Sequence, residues 1–172
     1  PYLISTPSQL NSISREPSAA YRITSDINLS DMVFKTALIP FFKGTLDGGR
    51  HTISSMTISG ESVLALFGTL ADGAVLSNIR ITNASVNGSG DYIAAIAAKT
   101  DNASIYNVSV SGNINGGGQS KYVAGIAGYC FESLIMTCNN SSAVSGGSFT
   151  GGICGMSANT ETVLSYNIGH IQ

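Results

Sequence analysis

Asp47, Arg50 and His51 are the densest group of side chains in this chain able to move a proton or grip a sugar: an acid and a base four residues apart, with a cation beside them. An Asp and His pair suits acid–base exchange or the ligation of a saccharide hydroxyl. Read with Gly48 and Gly49, the same residues also spell a tight turn that opens into a strand at Thr52-Ile53. Turn chemistry accounts for every residue of the cluster, so it is the preferred reading. A second set, Asp72, Asp101 and Glu132, recurs at spacings of 29 and 31. Glycoside hydrolysis needs two carboxylates about 5 to 9.5 Å apart, and a row of turn carboxylates could instead hold Ca²⁺. One solvated acid per turn explains the row without either, because the dense Asp and Gly pattern of dedicated calcium repeats is missing. No residue is assigned to catalysis, to a metal or to a cofactor.

Cys130, Cys138 and Cys154 form an odd set without C-x-x-C spacing, and His51 and His170 are the only histidines. A zinc site wants four ligands in paired clusters, so the thiols read as small buried hydrophobes, with a single bridge between Cys130 and Cys138 left open. Seven N-x-S sequons arise naturally in a chain rich in Asn and Ser, and Asn78 and Asn107 read as turn or ladder residues. The candidate for partner contact is the aromatic column Tyr92, Tyr122 and Phe149. Facing outward it would offer rings to a sugar or a protein; facing inward it would be core.

The elements that must position these residues follow from repetition. Leu66-Phe67-Gly68, Ile96-Ala97-Ala98, Ile126-Ala127-Gly128 and Ile153-Cys154-Gly155 return at intervals of 30, 30 and 27. Leu76, Ile105, Ile135 and Val163 form a second ladder, and Val86, Ile114, Val144 and Ile171 a third. Alternating apolar and polar residues around the second ladder have the period of a strand with one buried face. Three ladders at one period predict an all-β fold: a right-handed parallel β-helix (β-solenoid) with three short strands per coil of 27–30 residues. Ile79, Val108, Cys138 and Tyr166 are expected in one core column. The first strand is apolar on both parities, so one wall is expected to turn small apolar residues outward or to be covered.

Residues 1–35 read as an N-terminal cap, 36–62 as an opening coil and 63–172 as the repeat coils of a single domain. Thr6-Pro7-Ser8-Gln9 is a capping box with Pro at the first helical position, and a short helix there would shield the first coil. The last copy stops inside its third strand, which predicts a fragment of a larger protein. A net charge of −2, with only 10% charged residues, lacks the basic patch that nucleic acid requires. No apolar run reaches the roughly 18 to 20 residues of a membrane span.

The stretch Phe42-Lys43-Gly44-Thr45-Leu46-Asp47-Gly48-Gly49-Arg50-His51-Thr52-Ile53 resembles the F-x-G-T-x-D-G-x-x-H-T-I segment of bacterial surface proteins with GLUG-motif repeats. Val123 to Gly128 and Thr150 to Gly155 resemble the family's G-G-I-V-G element, Cys138 to Gly147 its N-C-x-N-x-G-x-V-S-G element, and Tyr21 to Ser30 its opening strand. Ala94, Ala95, Ala97 and Ala98 depart from a pattern that favours Gly and Val. The resemblance implies an extracellular, adhesin-like module, in a family whose repeats also occur in immunoglobulin A metallopeptidases. It brings no H-E-x-x-H zinc helix. The expected role is a non-catalytic adhesive surface or rigid stalk at the bacterial cell surface, touching a host glycan, a host surface protein or neighbouring domains. The competing readings are a carbohydrate-active β-helix enzyme and a scaffold segment of a secreted metallopeptidase.

Overall fold

Each apolar ladder of the sequence becomes a column of stacked side chains. The computed structural model describes residues 1–172 and is an all-β solenoid of about five turns with one short helix at its start. Every strand pairs in parallel with its equivalent one coil away. Leu46, Leu76 and Ile105 stack on Ile135, and Ile58, Val86 and Ile114 stack on Val144. These side chains are at most 1% exposed, each contributing about 1.5–3 kcal/mol on burial. They belong to one continuous core of 40 buried residues. No helix is long and apolar enough to cross a membrane.

The ladders lie on sheets of seven, nine and five strands, and a fourth sheet has three very short ones. The fourth sheet arises because the two-sided apolar run is not one strand. Ile93–Ala94, Val123–Ala124 and Thr150–Gly151 are two-residue strands, each followed by a corner and then by Ala97–Asp101, Ala127–Phe131 or Cys154–Ala158. Ile93 to Ala98 are all buried, so this wall presents no small apolar face to solvent. The corner folds the end of the ladder against the backbone just before it. A Cβ on Gly128 would stand 2.5 Å from the carbonyl oxygen of Tyr122, and one on Gly155 would stand 2.5 Å from that of Phe149. Close backbone approach therefore explains both the small residues of the first ladder and the burial of both parities.

The last coil runs one residue ahead of the expected alignment. Ile135 pairs with Thr162, and Met136 with Val163. Cys138 lies over Val108 as expected, but Tyr166 pairs with Asn139 and is 57% exposed, outside the core column. The slip follows from the 27-residue step of the first ladder, which this second ladder shares from Ile135 to Thr162.

At the other end, Thr6 caps the helix Pro7–Ser12 by accepting from the Gln9 N–H, while the Gln9 side chain accepts from the Ser5 N–H at 2.7 Å. Leu10 and Ile13 are fully buried beneath it. Strands Ala20–Ile23, Ile27–Asn28 and Val33–Phe34, inside the segment expected as cap, pair in register with Thr45–Asp47, Thr52–Ser54 and Thr57–Gly60.

Candidate binding face

The corner that buries the apolar run sets the residue before it in the left-handed region. Val63, Tyr92, Tyr122 and Phe149 occupy this position in successive coils, with φ of 57°, 64°, 62° and 60°. For residues with a Cβ this conformation costs about 1–2 kcal/mol, and here it recurs because the corner demands it. Its consequence is outward projection of the side chain. Tyr92, Tyr122 and Phe149 form a seam on the solenoid surface, with Tyr92 and Tyr122 half-buried and Phe149 49% exposed.

The rings lie on one another along the solenoid axis. Tyr92 and Tyr122 are stacked at 4.8 Å with 18° between planes, and Tyr122 and Phe149 at 5.3 Å with 7°. Tyr129 meets Tyr122 edge-on at 5.5 Å, and the Lys99 ammonium sits 4.1 Å from the centre of the Tyr92 ring. Desolvation, followed by the neighbouring Tyr122 and Asp91, holds the Tyr92 phenol above the usual tyrosine range. Both faces of Tyr122 are thus occupied by its neighbours, and one face of Tyr92 by Tyr122. The seam turns ring edges and phenol groups to solvent.

The polar clusters take other places. Asp47 does not meet His51. Its carboxylate accepts from the Asn78 amide at 3.0 Å and from the Gly49 N–H at 2.9 Å, and Arg22 lies 3.7 Å away. These contacts, the Asn78 bond first, hold its acid below the ordinary carboxylate range. Asn107 in turn donates to Asn78 at 2.8 Å, so Asp47, Asn78 and Asn107 form a ladder along one turn column, and Asn78 and Asn107 adopt positive φ. His51 stands 3.4 Å from Asp26 instead. The acidic row also dissolves: Thr100 pairs with both Leu70 and Cys130, so Asp72 lies under Asn102 and Glu132 lies over it, while Asp101 pairs with Phe131. Amides and acids alternate there at positive φ, which marks a turn requirement.

A ladder not anticipated from the sequence runs inside the last two coils. Asn140 is fully buried, donates to Asn167 at 2.7 Å and to the Ser142 carbonyl at 3.3 Å, and accepts from the Ser142 N–H at 3.0 Å. The column it joins is Ile53, Ile81 and Val110 in the earlier coils. The signal was an Asn at an apolar strand position.

No family model matches the chain. A segment of halomucin from Haloquadratum walsbyi is 34% identical over 110 residues, covering 53% of this chain and 1% of halomucin. The chain therefore spans a very small part of that relative. Among solved structures, one described as "a putative immunoglobulin A1 protease" from Bacteroides ovatus superposes with a TM-score of 0.63 at 18% identity, over 97% of this chain and 67% of that one. That likeness is one of fold: the solenoid, with its stacked parallel coils, recurs there.

Proposed function

We propose that this chain is a non-catalytic extracellular module of a bacterial cell-surface or secreted protein, of the GLUG-repeat kind, that holds a rigid contact surface away from its neighbours. The observation that carries the reading is the outward aromatic seam of Tyr92, Tyr122 and Phe149, stacked from coil to coil on the solenoid surface. The similarity to a segment of halomucin supports an address outside the cell. The seam would meet a host glycan or host surface protein through its row of ring edges and phenol groups.

A glycan array and a pull-down against host surface proteins test the reading, using the unmodified chain beside Phe149→Ala and Tyr92→Ala. Enrichment lost in Phe149→Ala supports contact through the seam. Absence of enrichment on either platform removes the binding role and leaves a stalk. Protease shaving of intact producing cells tests the address: release of peptides from residues 1–172 is expected, and their retention inside the cells would refute it.

A further inference from the structure

We infer that Cys130 and Cys154 are a cross-linking site, an intramolecular disulfide that ties the last coil to the one before it. Cys130 is fully buried on the inner side of Ala127–Phe131, and Cys154 opens the equivalent strand one coil on, where it pairs with Ala127. Their sulfurs are 2.9 Å apart. Closing that gap to a bond of about 2.05 Å needs a movement of about 0.9 Å. Cys138 has a different environment: it sits in the core column of the next wall, donating to the Met136 and Ile105 carbonyls at 3.3 and 3.6 Å. The pairing is thus set by the fold, and it is not the Cys130–Cys138 bridge that the sequence left open.

A bond at Cys154 fastens the coil of residues 151–172 to the coil before it, between the equivalent strands Ala127–Phe131 and Cys154–Ala158. Charge distribution favours the same sulfur as the attacking group: the Cys130 thiol, which shares a hydrogen bond with Cys154, is pushed up, while Cys154 is pushed down by that same contact.

The chemistry is thiol–disulfide exchange, and the proposed extracellular address would supply the oxidant, a small-molecule or protein disulfide. The Cys154 thiolate attacks one oxidant sulfur, giving a mixed disulfide and releasing one thiolate. Cys130, on losing its proton, attacks the Cys154 sulfur and releases the second. Two electrons and two protons leave the cysteine pair, and the oxidant departs as two thiols.

The test equilibrates the reduced 172-residue chain with glutathione disulfide, then combines intact mass, thiol counting and peptide mapping. Expected are a loss of about 2 Da, one free thiol at Cys138, and amide exchange in residues 151–172 slowed at least about tenfold. Cys138→Ala should still bridge. Cys154→Ser and Cys130→Ser should not, and exchange in the first three coils reports that each has folded. A bridge involving Cys138, a disulfide between two chains, or three thiols remaining would overturn the inference. Protein alkylated at once on recovery from producing cells separates the pairing from the address. A bridge found there supports both; free thiols there, with bridging in vitro, keep the pairing and refute the extracellular reading.

Discussion

Replacing Tyr122 separates the two forces that build the aromatic seam, because ring stacking favours the side chain while the backbone disfavours any Cβ. The ring has three aromatic neighbours: Tyr92 at 4.8 Å, Phe149 at 5.3 Å and Tyr129 at 5.5 Å. Aromatic pairs contribute about 0.5–1.5 kcal/mol each beyond area burial. Tyr122→Ala removes all three and should destabilise its coil by about 2–4 kcal/mol. Alanine nevertheless keeps the penalty of the +62° φ, about 1–2 kcal/mol, which glycine escapes at an entropic cost of about 0.5–1 kcal/mol. Tyr122→Gly should therefore be the more stable of the two by up to about 1.5 kcal/mol, the reverse of the order within a strand. Coils of a solenoid open individually, so the assay is native-state hydrogen exchange at the amides of residue 122 and Val123, which bond the Ser148 and Phe149 carbonyls at 3.2 and 3.1 Å. The alanine variant should lose about 30- to 1000-fold in protection. Protection within a few-fold of the parent would show that the seam carries no structural load. A glycine variant that opens faster than alanine would refute the backbone argument.

Three other outcomes follow from the polar ladders. Asn140→Asp replaces an amide donor by a buried carboxylate facing the Asn167 and Ser142 oxygens, and should destabilise the last two coils by about 3 kcal/mol or more, read by exchange in residues 139–172. Asp47 has a folded pKa below its unfolded value, so its contribution is present above about pH 4 and is lost as pH falls through the folded value. Asp47→Asn should flatten that acid limb in thermal melts between pH 2.5 and 6 while keeping an acceptor for the Asn78 amide, and an unchanged limb would assign it to other carboxylates. Gly125→Ala should destabilise, since the new Cβ would stand 2.2 Å from Asn140 Cγ and 2.4 Å from the Gly152 oxygen. Adding Asn140→Val should recover part of that loss, with a coupling of about 0.5–3 kcal/mol in a double-mutant cycle; simple additivity would break the link between the two positions.

The solenoid was legible because its defining signal is repetition, and repetition survives errors of detail. Equal steps of about thirty residues placed Leu76 over Ile105 and Val86 over Ile114 without any knowledge of the turns. The corner inside Ile93–Ala98 was not legible. Periodicity tells which residues are apolar, and a strand buried on both faces and two strand fragments folded against each other give the same composition. The slip of the last coil escaped for a related reason: Val163 and Tyr166 are apolar enough to be counted as core, and only the 27-residue step argued for Thr162 and Ser165. Direction was missing for the seam. Tyr92, Tyr122 and Phe149 could be seen to align, but their outward aim depends on a positive φ that a bulky residue rarely adopts, and no side-chain pattern announces it.

Ala95, which stands where the next two coils have Gly125 and Gly152, makes physical sense once the inner ladder is known. Gly125 stands against Asn140, and Gly152 against Asn167, each pair fifteen residues apart, with a Cβ on either glycine falling 2.2 Å from the amide carbon. In the preceding coil the equivalent residues are Ala95 and Val110, and both are buried. An amide lying in the plane of its backbone bonds needs the glycine's empty space, whereas a branched apolar side chain that makes no such bonds leaves room for a methyl group. Glycine goes with asparagine and alanine with valine, so the two substitutions are one choice made twice along the coil. The change falls where coils with an apolar column give way to coils whose column carries hydrogen bonds. Apolar stacking has no directional preference along the axis, but Asn140 donates to Asn167 of the next coil, and Asn167 in turn donates to the Gly169 carbonyl of its own coil.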